Sequence, residues 1–439
     1  MSGFDRNQTP KTRPIPKRTA LVASLDIGTS KIACMIARLR PCQPNGALRG
    51  RTHAVELIGY SQIRSRGVKA GAVVDLVECE QAVRQAVALA EEMAKVRVES
   101  VLLSVSAGRL QGHLIEAAAD VKGGAVTPAD VARVISAGMH HATGQGRTVL
   151  HALPVGYSID GAKGIRDPKG MVARQFGVDM NVVTVDATVA KNLMLVVERC
   201  HLNVEAMAAS PYVAGLSVLT DDEADLGAAV VEMGAGTTTI ATYSGGRFTH
   251  ASGFALGGQH ITMDLARGLS ACIADAERIK TLYGTVLTGG SDTDELMSVP
   301  SAGDDELDVP QIVSRATIAN IVRHRAEEIF EMVRDRLADS PFAAEPKARV
   351  VLSGGASQLT GTLELATRIL NRPVRIARPL GFGRLPNEAK SASFAVPSGL
   401  LVYPQYAHLE HVEPRHTRQL RTGTDGYFGK VGRWLREGF

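Results

Sequence analysis

The chain has 439 residues, 45% hydrophobic and 21% charged, which is enough apolar material for two or more folded domains. No run approaches the roughly eighteen apolar residues of a membrane span and the N-terminus lacks an apolar signal segment, so neither a transmembrane helix nor a signal peptide is expected. The net charge of +4 divides unevenly, because residues 1–18 and 415–439 each carry +4 and the body −4, a balance that argues against a nucleic-acid-binding fold and for tails meeting an anionic surface.

Five cysteines (Cys34, Cys42, Cys79, Cys200, Cys272) are odd in number and scattered, so they read as reduced cytosolic thiols, not as disulfides or a zinc site. Residues 1–19 are rich in Pro, Lys and Arg without periodicity, a disordered basic tail. Residues 21–33, LVASLDIGTSKIA, then give an apolar strand ending at Asp26, a turn of Gly28, Thr29, Ser30 and Lys31, and a second strand. Glycine lets such a turn take positive φ and bring N–H groups close to an oxyanion, which suits phosphate; a bare β-turn is the alternative. A third strand at 53–64 follows. Asp75 with Glu78 reads as a capping box for a helix to about Ala94, whose Val83, Val87, Ala90 and Ala94 share one face.

Within residues 101–121 two strands are expected, LLSVSA and LIEAAADV. Thr127, Pro128 and Asp130 open a helix with Val131, Val134, Ile135 and Met139 inward, and a strand follows at 148–159. This block, residues 105–183, reads as an extra small domain. A strand at 182–186 returns to the first domain, ahead of a helix at 189–200, a strand at 204–208 and a crossing helix at 211–219. Between Met207 and Thr220 there is no acid, amide or histidine, hence no candidate base.

Residues 229–240, AVVEMGAGTTTI, repeat the first motif: an apolar strand with Glu232, a turn of Gly234, Ala235 and Gly236, then Thr237, Thr238 and a renewed strand. Asp26 and Gly28 superpose on Glu232 and Gly234, which suggests two similar half-domains facing one ligand. Ser244, Gly245 and Gly246 turn a hairpin, and Gly257 with Gly258 opens a helix whose N-terminus can face phosphate. Glu277 and Lys280 lie three apart on the next helix, where a solvated ion pair is the simpler account. Residues 292–308 are acidic with Gly and Pro and read as an exposed loop. Residues 311–338 read as one long helix with Val322, Ala326, Ile329, Val333 and Leu337 inward. A third glycine turn, VVLSGGASQLTG at 350–361, sets Gly354 and Gly355 between a strand and a helix, a backbone suited to lie against adenine or ribose. A strand at 373–377 and a helix at 393–402 close the globular part.

Residues 406–425 are polar and unperiodic, a linker. In 426–439, Tyr427, Phe428, Val431, Trp434, Leu435 and Phe439 fall within an arc of roughly 140° on a helical wheel, with Lys430, Arg433, Arg436 and Glu437 opposite. The only Trp and four of the nineteen aromatics lie here, so the segment needs an apolar surface to pack on. A bilayer interface supplies it, with each Lys or Arg adding about 1 kcal/mol against anionic lipid; packing on the body's own core is the alternative. Gly429 and Gly432 interrupt this short helix, so one copy binds weakly and several on a polymer bind tightly.

With LDIGTSK as first phosphate motif, VEMGAGTTT as second and VVLSGGAS as adenosine motif, the chain resembles the actin-like ATPase superfamily. From residue 20 onward it resembles, more closely, the FtsA-like bacterial division proteins. The resemblance implies an α/β, actin-like (ribonuclease H-like, duplicated) two-lobed fold with an inserted SHS2-type subdomain, 1C. Its parts would be 20–104, 184–217 and 391–405 for subdomain 1A, 105–183 for 1C, 218–250 and 339–390 for 2A, and 251–338 for 2B. It implies ATP and Mg2+ between the lobes, at Asp26, Gly28, Thr29, Ser30, Lys31, Glu232, Gly234, Ala235, Gly236, Thr237, Thr238, Gly257, Gly258, Gly354 and Gly355. Asp26 and Glu232 would reach the metal through water, and Glu277 and Lys280 would embrace ribose and adenine. Related proteins usually carry Asp where Glu232 stands, often Asp where Thr239 stands, and a Gln or Glu in the crossing helix, so nucleotide binding with weak or absent hydrolysis is expected.

RATIANIVRHR resembles the region of FtsA-like proteins that receives the acidic C-terminal tail of FtsZ, the tubulin-like ring protein, which makes Arg315 and Arg325 the expected cations. The chain's ending resembles that family's membrane-targeting helix, with Tyr427, Phe428, Lys430, Val431, Arg433, Trp434, Leu435, Arg436 and Phe439 on lipid. The implied function is a self-associating, ATP-binding division protein. It would tether FtsZ filaments to the cytoplasmic face of the inner membrane at the division site and recruit later division proteins through 1C, with no nucleic-acid partner. A chaperone-like or sugar-kinase-like ATPase would require measurable phosphate release instead. An actin-like scaffold of another envelope machine, such as pilus assembly, would lack affinity for the FtsZ tail.

Overall fold

A computed structural model describes residues 19–43, 48–107, 109–142, 146–165, 167–287, 295–300, 311–383, 385–406 and Glu410. The expected basic tail at 1–19, but for Thr19, most of the expected linker and the lipid-facing stretch at 426–439 lie outside the described residues. Among the described residues no helix is long and apolar enough to cross a membrane.

Two halves of the molecule repeat one plan. In the first, β1 (Ala20–Ile27), β2 (Lys31–Pro41) and β3 (His53–Arg64) form an antiparallel meander, followed by a small hairpin of β4 (Val68–Lys69) and β5 (Ala72–Val73), then α1 (Leu76–Ala94) and β6 (Ser100–Val105). The insert follows as β7 (Gln111–Asp120), α2 (Pro128–Ala142), β8 (Arg147–Ile159), β9 (Ala162–Ile165) and β10 (Gln175–Asp186). The first half then resumes with α3 (Ala187–Arg199), β11 (Asn203–Ala209), α4 (Ser210–Val218) and α5 (Asp221–Leu226). The second half opens with the meander β12 (Ala228–Met233), β13 (Thr238–Ser244) and β14 (Arg247–Phe254). It continues through α6 (Gly258–Gly268), α7 (Ile273–Tyr283), β15 (Leu296–Val299), β16 (Gln311–Ser314) and α8 (Arg315–Ala338), and ends with β17 (Arg349–Ser353), α9 (Thr362–Leu370) and β18 (Val374–Ile376), after which α10 (Ala395–Val402) packs back on α4, β1 and β2 of the first half.

The first sheet runs β11-β6-β1-β2-β3, and β18-β17-β12-β13-β14 repeats that order in the second half. In each, the meander is antiparallel and the two strands beyond it are parallel. The parallel-flanked β12 is buried along its whole length, as a strand covered on both faces must be. The two motifs singled out in sequence are thus the β1–β2 and β12–β13 turns of equivalent meanders.

The insert shares a sheet with the second half. Ser252 of β14 pairs with Gln111 of β7, so the second sheet continues into β7-β10-β8-β9 and reaches nine strands. The strand expected at 182–186 is the end of β10 and bonds to β7 and β8, although its Val183 and Val185 side chains enter the first half's core. The insert has its own small core, where Val131, Val134 and Ile135 of α2 meet Phe176 and Met180 of β10. Thr127 and Asp130 make the reciprocal cap expected at α2. At α1 the expected capping box is half formed: Asp75 accepts from Val77 N and Glu78 N, but its own N–H goes to Gly67 O.

Two expectations fail around α8. Residues 296–299, expected in a loop, form β15, and 311–314, expected in the helix, form its partner β16. Alternation decides this: Val299 and Val313 turn inward while Leu296 and Ile312 turn out, and the Ser314 hydroxyl then accepts from Thr317 N to start α8. The inward face of α8 is as expected, with Val322, Ala326, Ile329, Val333 and Leu337 buried.

Glu410, beyond α10, is pinned to this body. Glu410 Oε1 accepts from Tyr403 Oη at 2.8 Å and from fully buried His151 Nδ1 at 2.8 Å, while His151 Nε2 accepts from Ala209 N at 2.8 Å. Glu410→Ala removes the acceptor for two interior donors and should cost about 2–4 kcal/mol. Thermal melts check this, and an unchanged midpoint would show that Glu410 is not docked.

Candidate functional site

The two meander turns come together: a Cβ on Gly236 of the second would lie 2.5 Å from Thr29 Oγ1 of the first. In the first, Gly28 N donates to Lys31 O at 3.0 Å; in the second, Gly234 N donates to Thr237 O at 2.9 Å. Contrary to the sequence expectation, Gly28, Gly234 and Gly236 do not adopt positive φ. Close approach is what requires them: a Cβ on Gly28 would stand 2.9 Å from Lys31 O, and one on Gly236 would stand 2.5 Å from Thr29 Oγ1. At the turn tips, the N–H groups of Thr29, Ser30, Ala235 and Gly236 have no protein acceptor among the described residues. Unpaired backbone N–H groups on two adjoining turns are suited to hold an anion.

Two acids lie beneath. Asp26 is the last residue but one of β1, and Ser104 Oγ of β6 donates to its Oδ1 at 2.5 Å. Burial raises its pKa, opposed by that hydrogen bond and by Lys31. Glu232 of β12 accepts from Thr239 Oγ1 at 3.2 Å, and burial, helped by the charge of Asp26, pushes it up to about 8, against Thr239 and Lys31. Lys31 is lowered by burial, opposed by both acids. Its Nζ donates to Ser393 O at 2.5 Å and sits 4.3 Å from the Phe394 ring centre, so it balances the acids and does not reach out of the floor. Among the described residues no three His, Cys, Asp or Glu side chains gather to hold a metal alone. Two carboxylates beside an array of free N–H groups nonetheless suit Mg2+ carried by phosphate and water. The residues present therefore fit a magnesium nucleotide.

Thr237 closes the second turn, but Thr238 is buried and its hydroxyl donates to Leu256 O at 2.8 Å, so it supports the turn from behind. The N-terminus of α6 does not face the cleft with free donors, as expected from sequence: Gly258 N and Gln259 N donate to Gly234 O and Ala235 O at 2.9 and 2.8 Å. Gly257 and Gly258 are there because α6 butts against the turn; a Cβ on Gly257 would meet Gly234 O at 2.5 Å. Lys280 Nζ reaches Gly258 O, Thr262 Oγ1 and Glu277 Oε2 at 3.2, 2.8 and 2.6 Å, so the Glu277–Lys280 pair is anchored to that first turn instead of floating in solvent. Thr262 was not singled out in sequence, and nothing local marks it. Gly354 takes φ +86° with no room for a Cβ beside Met233 O, whereas a Cβ on Gly355 would enter open space, leaving that position free to line a ligand. Gly355–Gln358 is a short 3-10 turn before α9, not the helix start expected.

Arg315 and Arg325 are not brought together. Ten residues apart on α8, they are about 15 Å apart along the axis. Arg315 pairs with Glu295 at 2.8 Å, and Arg325 with Asp264 at 2.6 Å and with Glu328. Near Arg315, the β15–β16 hairpin exposes Leu296 and Ile312 (67% and 69%), an apolar pair the sequence reading missed. Its signal was the Leu-Met-Ser-Val and Gln-Ile-Val-Ser alternation, hidden by the acidic residues between.

A duplicated five-stranded plan with paired, adjoining glycine turns places this chain in the actin-like class of two-lobed α/β proteins. Among solved structures, it is similar to a PilM–PilN type IV pilus biogenesis complex (TM-score 0.62, 15% identity, 89% of this chain and 99% of that one). It is also similar to MreB5 of Spiroplasma citri bound to ADP (TM-score 0.51, 13% identity, 88% and 97%). The model of cell division protein FtsA matches residues 229–399, and that of the SHS2 domain inserted in FtsA matches 107–184. The cell division protein FtsA of Agrobacterium fabrum is 47% identical over 98% of both chains. The chain belongs to the FtsA family of cell division proteins.

Proposed function

We propose that the protein binds ATP with Mg2+ between its two halves, self-associates, and tethers FtsZ filaments to the cytoplasmic face of the inner membrane at the division site, helping to recruit later division proteins through its insert. One observation carries the nucleotide part: two equivalent glycine turns, each with free tip N–H groups and an acid behind it, lie against each other. The tip donors would hold the phosphates, Asp26 and Glu232 would hold the ion through water, and Glu277 and Lys280 would flank the ribose. Bound Mg2+ would supply charge neutralisation of the phosphates. Glu232 would then give up the proton it keeps in the free protein.

Nothing in α4 supplies a base. Its only polar side chains besides Tyr212 are Ser210 and Ser217, and Ser217 Oγ is bonded to Ala214 O and Ala395 O. Ser210 Oγ lies 3.5 Å from Thr239 Oγ1, a hydroxyl contact too weakly basic to activate water. The nucleotide would therefore act as a clamp that sets lobe closure, and a slow or absent hydrolysis suffices.

Arg315 and Arg325 are the proposed cations for the acidic FtsZ tail; the exposed apolar side chains near Arg315 favour that end of α8 for a peptide with its own apolar residues. The aromatic, basic ending supports lipid attachment. Deleting residues 427–439 should abolish co-sedimentation with anionic liposomes, both alone and with FtsZ-tail peptide bound. Equal pelleting with and without the segment would end the tether reading, and absent ATP heat in calorimetry would end the nucleotide reading.

A further inference from the structure

We propose that the β4–β5 hairpin is a positioning element of the phosphate site, aiming the Thr29 hydroxyl and joining the two phosphate turns across the cleft; this rests on the nucleotide reading above. The hairpin turns on Ala70 and Gly71 at φ +46° and +70°, a left-handed pair that fits tightly twisted strands. Gly71 N donates to Thr29 Oγ1 at 2.9 Å. A hydroxyl has one proton and two lone pairs, and no protein acceptor takes the Thr29 proton among the described residues. With one lone pair engaged from behind, that proton is left for a ligand oxygen. The side chain is also held in one orientation before the ligand arrives, which removes part of the ordering cost of binding.

The second turn meets the same tip. A Cβ on Gly236 would lie 2.5 Å from Thr29 Oγ1 and 2.8 and 3.0 Å from Cα and N of Ala70. The hairpin tip thus touches a turn from each half of the molecule, with no space for a methyl group between them. It is not a loose loop. Its root is tied by Val74 N and Asp75 N to Gly67 O at 2.8 and 3.1 Å, and Ser65 N donates to Ser30 O at 2.9 Å. Gly71 also lies against Ser106 and Ala107, where a Cβ would meet Ser106 Oγ at 2.9 Å and Ala107 Cβ at 2.8 Å, just past the end of β6 and ahead of the insert. Residues 68–73, VKAGAV, carry a recognisable hairpin signal, a glycine-containing pair between valines, that the search for phosphate motifs passes over.

The test titrates MgATP into four full-length proteins: wild type, Gly236→Ala, a variant with residues 68–73 replaced by a Gly-Ser stretch of equal length, and the two changes combined. Gly236→Ala should weaken binding roughly tenfold or more by wedging the turns apart. The Gly-Ser variant should also bind less tightly. The combination should be no weaker than the Gly-Ser variant alone, since Thr29, released from Gly71, can turn aside from the new methyl. Nucleotide-free melting temperatures close to wild type would separate positioning from folding. Hydrogen exchange in the nucleotide-free wild type should show residues 70–72 protected, and the Gly-Ser replacement should not be. Additive losses, or fast exchange at 70–72, would overturn the role of the hairpin while leaving ATP binding intact. A wild type that binds no ATP would overturn the nucleotide reading and this inference with it.

Discussion

Glu232→Gln should melt at a higher temperature than the wild type at pH 8.5 without nucleotide, and should bind MgATP at least tenfold more weakly. Burial holds the Glu232 proton up to a pKa of about 8, against 4.5 for the unconstrained side chain. Between those two values the folded protein carries a proton that the unfolded chain has released. Stability from this group is therefore complete below about pH 4.5 and is lost as pH rises through about 8. Glutamine keeps the shape, still accepts from Thr239 and never ionises. The two proteins should melt together near pH 4.5, and a gap on the order of a few kcal/mol should open above it and level off past pH 8. Function should take the opposite course, because the neutral amide would be a poorer partner for the proposed Mg2+. Equal melting curves at pH 8.5 would mean that folding does not raise the Glu232 pKa.

That outcome turns on a residue the sequence marks clearly. Asp26 and Glu232 stand at the same place before a glycine turn in two apolar hairpins, and such local patterns survive into the structure because both are set by strand alternation and turn geometry. The inward face of α8 is legible for the same reason, a 3.6-residue period against a core. What the sequence hides is non-local. Ser252 of β14 and Gln111 of β7 carry nothing that announces their pairing, yet that contact joins the insert to the second half's sheet. The α6 N-terminus is another instance: two glycines before a helix suggest free donors, but the chain brings Gly234 O and Ala235 O to them first. At Gly28 and Gly236 the residue type is read correctly and its reason is not, since close packing against Lys31 and Thr29, not positive φ, excludes a side chain.

The largest effect on folding is expected from Gly399→Ala. Here α10 crosses α4 backbone against backbone: a Cβ on Gly399 would lie 1.7 Å from Val213 O and 2.3 Å from its carbonyl carbon. A flexible side chain can yield to such a methyl, but a helix backbone yields only by moving the whole helix. α10 has little freedom to move, since it also packs on β1 and β2 and Ser217 Oγ of α4 donates to Ala395 O at 2.7 Å. Overpacking of this kind should cost about 3 kcal/mol or more, lowering the melting temperature by several degrees and the yield of soluble protein with it. Gly383→Ala is the matched control, because its Cβ would meet nothing within 4 Å and its φ is not positive, so no change is expected. The damage should also reach the cleft. α4 begins at Ser210, beside Thr239 and hence Glu232, so a displaced α4 shifts the hydroxyl that supports the second acid. MgATP affinity measured on whatever folded Gly399→Ala can be recovered should fall with stability. If the variant melts within a degree of the wild type, α10 and α4 do not cross at this distance, and the route from that crossing to the phosphate floor fails with it.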